Sequence, residues 1–310
     1  MKFVIEKLGF DEFKRRWEAA YESMGYARPS HEPIKLLTHA DEPLPLIMPT
    51  RNGSGHTSAN GNGVGHGIGH ETPFEMWKRT NVVKQKQPGY VTAAIKLFMG
   101  DLTSEQMLCV SDLADRFANG NIRTTINQNM VIRWIPEAQI ESLYSELSAH
   151  GLSDPGAELV EDIIACPGTD TCGLGITSSK GLARALAEVF PAGRVPEDLS
   201  DVSVKISGCH NSCAQHHIST IGLHGVGKRL GEHVAPHYEL HLGGQVDGTP
   251  KIGQMTVKLP AKAVPAALSH LVTVYRRDRL PKENLSAFIA RAGKNKLKDE
   301  LIPYTIVPAY

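Results

Sequence analysis

The run Ile163-Ile164-Ala165-Cys166-Pro167-Gly168-Thr169-Asp170-Thr171-Cys172 passes from a short apolar stretch straight into a loop that carries two thiols. A second run, Val202-Ser203-Val204-Lys205-Ile206-Ser207-Gly208-Cys209-His210-Asn211-Ser212-Cys213, does the same. Each reads as a strand that ends in a loop of small residues. Between them Leu182, Leu186, Val189 and Phe190 share one face of a helix from about Ser178 to Phe190. The fold must therefore bring two cysteine loops together across a strand–helix–strand unit. Further strand signals lie at Ile218–Leu223, Tyr238–Leu242 and Met255–Leu259. A helix with Val264, Leu268, Leu271, Val272 and Tyr275 on one face follows, then a charged helical tail to Glu300.

Toward the N-terminus the pattern changes. Phe74–Lys86 and Val91–Phe98 read as strands around the turn dipeptide Pro88-Gly89. Thr103 and Gln106 make a capping box, and Val110, Leu113, Ala114 and Phe117 form the stripe of the helix behind it. Short strands around Arg123 and Val131 precede a helix that opens at Pro136, turns Ile140, Leu143, Tyr144 and Leu147 inward and stops at His150-Gly151. This is an α+β unit, one sheet covered by two helices. Ahead of it, residues 51–72 are rich in Gly and His. His56, His66 and His70 there are irregularly spaced, which favours a solvated, flexible linker over a metal site. The opening 24 residues read as a helix with Phe13, Trp17, Ala20 and Tyr21 on one face, and Glu42–Thr50 as extended chain. The expected division is 1–50 (N-terminal helix and linker), 51–72 (flexible segment), 73–153 (α+β module) and 154–310 (cysteine-bearing α/β domain).

The chain has 310 residues, 41% hydrophobic and 21% charged, enough for a packed core. Its formal net charge is zero, which argues against a nucleic-acid backbone or an anionic membrane as partner. No run reaches the roughly 18 apolar residues of a membrane span, and Met1-Lys2-Phe3 does not open a signal peptide. The expected compartment is the cytoplasm, where clustered cysteines point to metal or catalysis before disulfides. Four thiolates in Gly-rich loops are the ligand set of an iron–sulfur cluster. A zinc site also takes four cysteines, but the gap from Cys166 to Cys172 is wide for a zinc knuckle. Spacing favours the cluster and leaves zinc and redox thiols open. Cys109, inside a helix beside its apolar stripe, reads as a small buried hydrophobe.

The motif Gly208-Cys209-His210-Asn211-Ser212-Cys213, taken with Ala165-Cys166-Pro167-Gly168-Thr169 and Cys172-Gly173-Leu174, resembles the sirohaem-dependent nitrite and sulfite reductases. Arg123-Thr124-Thr125-Ile126-Asn127-Gln128-Asn129 and Ile221-Gly222-Leu223-His224-Gly225 extend the likeness, which runs from about Phe74 to Leu242. It implies a ferredoxin-like module followed by a sirohaem- and [4Fe-4S]-binding domain. It also implies six-electron reduction of a small inorganic anion, nitrite or sulfite, with electrons from a ferredoxin-type donor. Cys166, Cys172 and Cys209 are implied as cluster ligands, and Cys213 as the ligand shared with the haem iron. Arg123, Gln128 and Asn211 match positions that hold the haem carboxylates. Read without the resemblance, Arg123 is a strand-end cation, Gln128 and Asn129 are turn residues, and Asn211 caps its own loop. Members of the family carry two copies of this unit, and this chain shows one, of the second type. Ile126 and Asn127 stand where the other copy would offer arginine, so a complementary half or a homo-oligomer is expected. The alternative is a cluster-only redox sensor or electron-transfer protein. His216 and His217 are expected to be a satisfied pair, because neighbours on a regular element point different ways.

Overall fold

A computed structural model describes residues 7–23 with positions 5 and 25, then 71–190, 197–246 and 249–307. Contacts divide the chain into Met1–Pro43 and Leu44–Tyr310. In the first unit, α1 (Phe10–Ser23) carries the expected stripe, with Trp17 stacked on Tyr21 at 5.3 Å between ring centroids. The expected linker at 51–70 and the extended segment before it lie outside the described residues.

The second unit opens with a helix where the sequence suggested a strand. Thr72 accepts a hydrogen bond from the Glu75 N–H and the Glu75 carboxylate accepts from Thr72, a capping box that starts α2 (Pro73–Asn81). Pro73 fits the first helical turn, and Trp77 is fully buried beneath it. Only Val82–Lys84 (β1) of that stretch is strand. Next come β2 (Tyr90–Ile95), α3 (Ser104–Ala118), β3 (Ile122–Thr124), β4 (Met130–Pro136) and α4 (Ile140–Ala149). The four strands form an antiparallel sheet in the order β1-β2-β4-β3. Val110, Leu113 and Phe117 of α3 and Ile140, Leu143 and Leu147 of α4 bury the expected stripes against Ala93, Ile95, Ile132 and Ile135. Cys109 lies in the same core, and burial pushes its thiol pKa up.

A second sheet holds β5 (Ile164–Ala165), β6 (Val204–Ser207), β7 (Ile221–Leu230), β8 (His233–Leu242) and β9 (Gln254–Pro260), in that order. β5, β6 and β7 run parallel, while β8 and β9 are antiparallel additions. The crossover from β5 to β6 carries α5 (Ser179–Ala187), and α6 (Val264–Asp278) and α7 (Leu285–Leu301) follow β9. Leu182 and Leu186 of α5 and Leu268, Leu271 and Tyr275 of α6 share a core with Ile206, Leu223 and Leu240 of the sheet. That apolar face leaves the other face to Lys205, Ser207, His224, Glu239 and His241, which are all buried except Glu239.

The segment joining the two sheets is stitched down. Asn81 Nδ2 donates to the carbonyls of Ala94 and Asp154, both at 3.0 Å, and Thr80 Oγ1 accepts from the Gly156 N–H at 2.9 Å. Lys96 and Glu161 form a buried ion pair at 3.8 Å. Asn81, Lys96 and Glu161 are buried and need their partners, so these ties fix where the second sheet begins.

Candidate cofactor centre

Both cysteine loops leave the same end of the second sheet. Cys166 follows β5 directly and its N–H donates to Ile206 O of β6 at 3.1 Å, while Cys209 lies two residues beyond the end of β6. Crevices at the carboxyl ends of parallel strands are where open α/β sheets bind ligands. The Gly208 N–H donates to Cys166 Sγ at 3.0 Å, which joins the two loops at the sulfur itself. The Gly208 carbonyl in turn accepts from the N–H groups of Ile176 and Thr177, at 2.9 and 3.1 Å.

Small residues make this contact possible. A Cβ on Gly208 would lie 2.7 Å from Gly168 Cα and 2.9 Å from Thr177 O. One on Gly175 would lie 2.7 Å from the carbonyl carbon of Gly168. Cys172 is tied back by its N–H to Gly168 O at 3.0 Å. The Cys213 loop folds over the end of β6, where the Ala214 N–H donates to Ser207 Oγ at 3.3 Å. Ala214 packs there against Ile164 and Cys166. Cys166 and Cys209 are buried, whereas Cys172 and Cys213 are exposed. Each loop thus carries one buried and one exposed thiol, and the two loops are joined at Cys166 Sγ. Ser179, the first residue of α5, donates its hydroxyl to Cys166 O at 2.6 Å and lies 3.4 Å from Cys166 Sγ.

The segment from Thr125 to Asn129 ties the first sheet to this end of the second sheet. Asn127 Oδ1 accepts from Lys205 Nζ at 3.1 Å, Gln128 pairs with the main chain of Ala165, and Asn129 Nδ2 donates to Asp162 Oδ2 at 2.6 Å. Asn129 Oδ1 also accepts from the Leu97 N–H at 2.9 Å. Burial raises the Asp162 carboxyl pKa and lowers that of Lys205. The family resemblance implies Gln128 as a haem-carboxylate contact. Its amide carbonyl and one N–H bond the main chain of Ala165, the residue before Cys166, which ties it to β5. Asn129 closes the turn between β3 and β4, as expected, and its buried side chain also ties separate segments together.

Gln128, Thr124, Thr125, Met99, Pro167 and Lys180 line a cleft of about 390 Å³ beside Cys166. Arg123 does not line it; it sits half-buried on β3 opposite Val131. Asn211 and His210 are exposed at the tip of the second cysteine loop.

His216 and His217 do not point apart. They occupy a short 3₁₀ turn, where their ring centroids are 3.9 Å apart, and His224 and His241 from β7 and β8 pack against them. Burial, with the three neighbouring histidines adding to it, pushes His216 down to about 3. His224 and His241 are also lowered, mainly by burial. These three rings are therefore neutral at pH 7.

Residues 83–150 match the nitrite/sulfite reductase ferredoxin-like half domain, and residues 156–306 match the nitrite and sulphite reductase 4Fe-4S domain. The chain belongs to the nitrite and sulfite reductase family. The α+β reading, a ferredoxin-like module ahead of a 4Fe-4S domain, agrees with both matches. The chain is 26% identical over 225 residues to the assimilatory ferredoxin-dependent nitrite reductase of Haloferax mediterranei, covering 71% of this chain and 38% of that protein. It is 30% identical over 178 residues to the NADPH sulfite reductase hemoprotein beta-component of Methylobacterium nodulans, covering 56% and 28%. The NirA protein of Mycobacterium tuberculosis superposes with a TM-score of 0.59 at 26% identity, covering 70% of this chain and 41% of that one. The chain thus spans less than half the length of each of these three proteins.

Proposed function

We propose that this chain is the cluster-bearing half of a sirohaem-dependent nitrite or sulfite reductase, working in the cytoplasm with a ferredoxin-type donor. The observation that carries the reading is the closure of the two cysteine loops, with the Gly208 N–H on Cys166 Sγ at the shared end of β5 and β6. The donor set fits a [4Fe-4S] cluster: four thiols in small-residue loops, with a main-chain N–H already aimed at sulfur. When bound, the cluster supplies electrons one at a time and the sirohaem supplies the position that takes the anion.

The residues of this chain then have distinct tasks. Cys166, Cys172 and Cys209 would hold the cluster, and the exposed Cys213 would serve both cluster and sirohaem. Arg123 and Asn211 contribute donors to the haem carboxylates, a task suited to a planar guanidinium and an amide. Gln128 keeps β5 in place. The anion needs several cationic donors in a dry pocket. Ile126, 73% exposed, stands where the complementary copy would offer one. That copy is supplied by a further module or a second chain.

The test is anaerobic reconstitution with iron, sulfide and sirohaem, followed by nitrite and sulfite assays with reduced ferredoxin or methyl viologen. Cluster and haem spectra with negligible turnover, restored by a complementary module added in trans, support the proposal. Steady six-electron turnover by the isolated chain would sink the half-enzyme reading. A second reading, electron transfer through the cluster alone, draws on Leu174 and Ile176, exposed apolar residues that follow Cys172 in its loop. It predicts a broad cluster absorption with no sirohaem bands even when sirohaem is supplied.

A further inference from the structure

The histidine cluster behind the second cysteine loop has a construction that stacking of neutral rings does not require. One ring nitrogen from each of His216, His217 and His241 lies within 4.8 Å of the other two. Each ring is also anchored. His216 Nδ1 meets Ser207 Oγ at 3.0 Å, and His217 Nδ1 meets Ser212 Oγ at 3.1 Å. His241 Nε2 meets His224 Nδ1 at 3.2 Å, and His224 Nε2 lies 3.5 Å from Glu239 Oε2. Glu239 is itself held by Lys258 at 3.0 Å. His216 Nε2 is buried and has no hydrogen-bond partner, while the His241 ring has the Gly253 main chain beside it. Buried polar atoms are almost always satisfied, and an orphaned ring nitrogen in such a cluster calls for a ligand.

We propose that His216, His217 and His241 form a three-nitrogen site for a first-row divalent cation such as zinc, separate from the cysteine centre. Neutral imidazoles are the ligands such ions select, and three of them leave a fourth position open. Metal-bound histidines characteristically turn their other ring nitrogen to a hydroxyl, carbonyl or carboxylate that fixes the ring, as Ser207, Ser212 and the His224–Glu239 pair do here. Register brings these residues together: β7 and β8 pair Gly222 with His241 and His224 with Glu239. The 3₁₀ turn then lays His216 and His217 over that face.

The experiment uses the full chain, stripped with chelator and titrated with cobalt(II), with zinc(II) as competitor. The C166S/C172S/C209S/C213S variant should bind one cobalt with visible d–d bands and no thiolate charge-transfer bands. H217Q and H241Q should weaken binding at least tenfold, and S207A by roughly 10–100-fold, with circular dichroism unchanged in each. H56Q/H66Q/H70Q should bind as the parent does. His217 is half-buried, so H217Q keeps the test open if H241Q fails to fold. Binding that survives both H217Q and H241Q, that needs the four cysteines, or that is absent altogether would overturn the proposal. Iron and sulfide content after reconstitution of the parent reports on the cysteine centre independently.

Discussion

The carboxamide of Gln128 is hydrogen-bonded at both ends to the main chain of Ala165, Nε2 donating to its carbonyl at 3.0 Å and Oε1 accepting from its N–H at 3.1 Å. A side chain of the first sheet thus occupies the place of a neighbouring strand beside β5. Ala165 is fully buried, and both of its main-chain polar groups are served by this one side chain. Gln128→Ala should cost about 2 kcal/mol in urea unfolding, chiefly for the unpaired Ala165 N–H, and should lower the iron retained after reconstitution. Gln128→Glu keeps only the acceptor and should fall between the two. A wild-type midpoint in Gln128→Ala would mean that β5 is held by other contacts.

Gly208 and Gly173 offer a matched comparison. An added Cβ at Gly208 meets main-chain atoms at 2.7 and 2.9 Å, whereas at Gly173 nothing lies within 4 Å. Gly208→Ala should destabilise by about 1–3 kcal/mol and part the two loops. Gly173→Ala should stay within about 0.5 kcal/mol of the parent. Thermal melts and iron content check both, and equal behaviour of the two variants would contradict the close-approach argument.

The five cysteines should separate cleanly. Ser at Cys166, Cys172, Cys209 or Cys213 should each abolish the visible cluster spectrum. Cys109→Ala, in the core of the first module, should keep the full iron and sulfide complement and cost only about 1 kcal/mol. Loss of iron in Cys109→Ala without loss of fold would count against the ligand assignment.

Stability of the chelator-stripped chain should fall from pH 7 to pH 5. His216, His224 and His241 have folded pKa values below the unfolded value near 6.5, with His216 at about 3. Below pH 6.5 the unfolded chain therefore binds more protons than the folded one, and stability drops as pH falls. Each histidine contributes up to roughly a tenfold change in the folding equilibrium per pH unit. Urea midpoints at pH 7, 6 and 5 measure this, and His216→Phe should flatten the slope. A flat profile in the parent would show that the rings protonate freely in the fold.

Much of this architecture is legible in the residues. The stripes Val110–Leu113–Phe117 and Leu268–Leu271–Tyr275 mark their helices because period and burial agree. Residues 73–81 mislead because nine residues show too few turns to separate a helical from an alternating pattern. Thr72 and Glu75 hold the deciding signal. The histidine cluster is hidden by distance along the chain. Recognising the turn at Gly231, with φ +61°, between paired Leu230 and His233 would fix the register. Counting outward from that turn places His224 opposite Glu239 and Gly222 opposite His241. What His216 and His217 do in a 3₁₀ turn has no such periodic signature. Gln128 and Asn129 stand out as adjacent amides, but amides serve carboxylates and main chain equally well, and their ties to Ala165, Leu97 and Asp162 appear only when the two sheets pack.

The joining of the cysteine loops at the ends of strands separated by a whole helix bears on the order of biogenesis. A zinc knuckle gathers its thiols within a few residues, so a metal can nucleate the chain around it. Here the loops meet only after β5, α5 and β6 have packed on the shared core, and that core is built from residues needing no metal. On the cluster reading, maturation is late: a delivery system would meet a finished scaffold, with the exposed Cys172 and Cys213 as the first points of hand-over and the buried pair filled last.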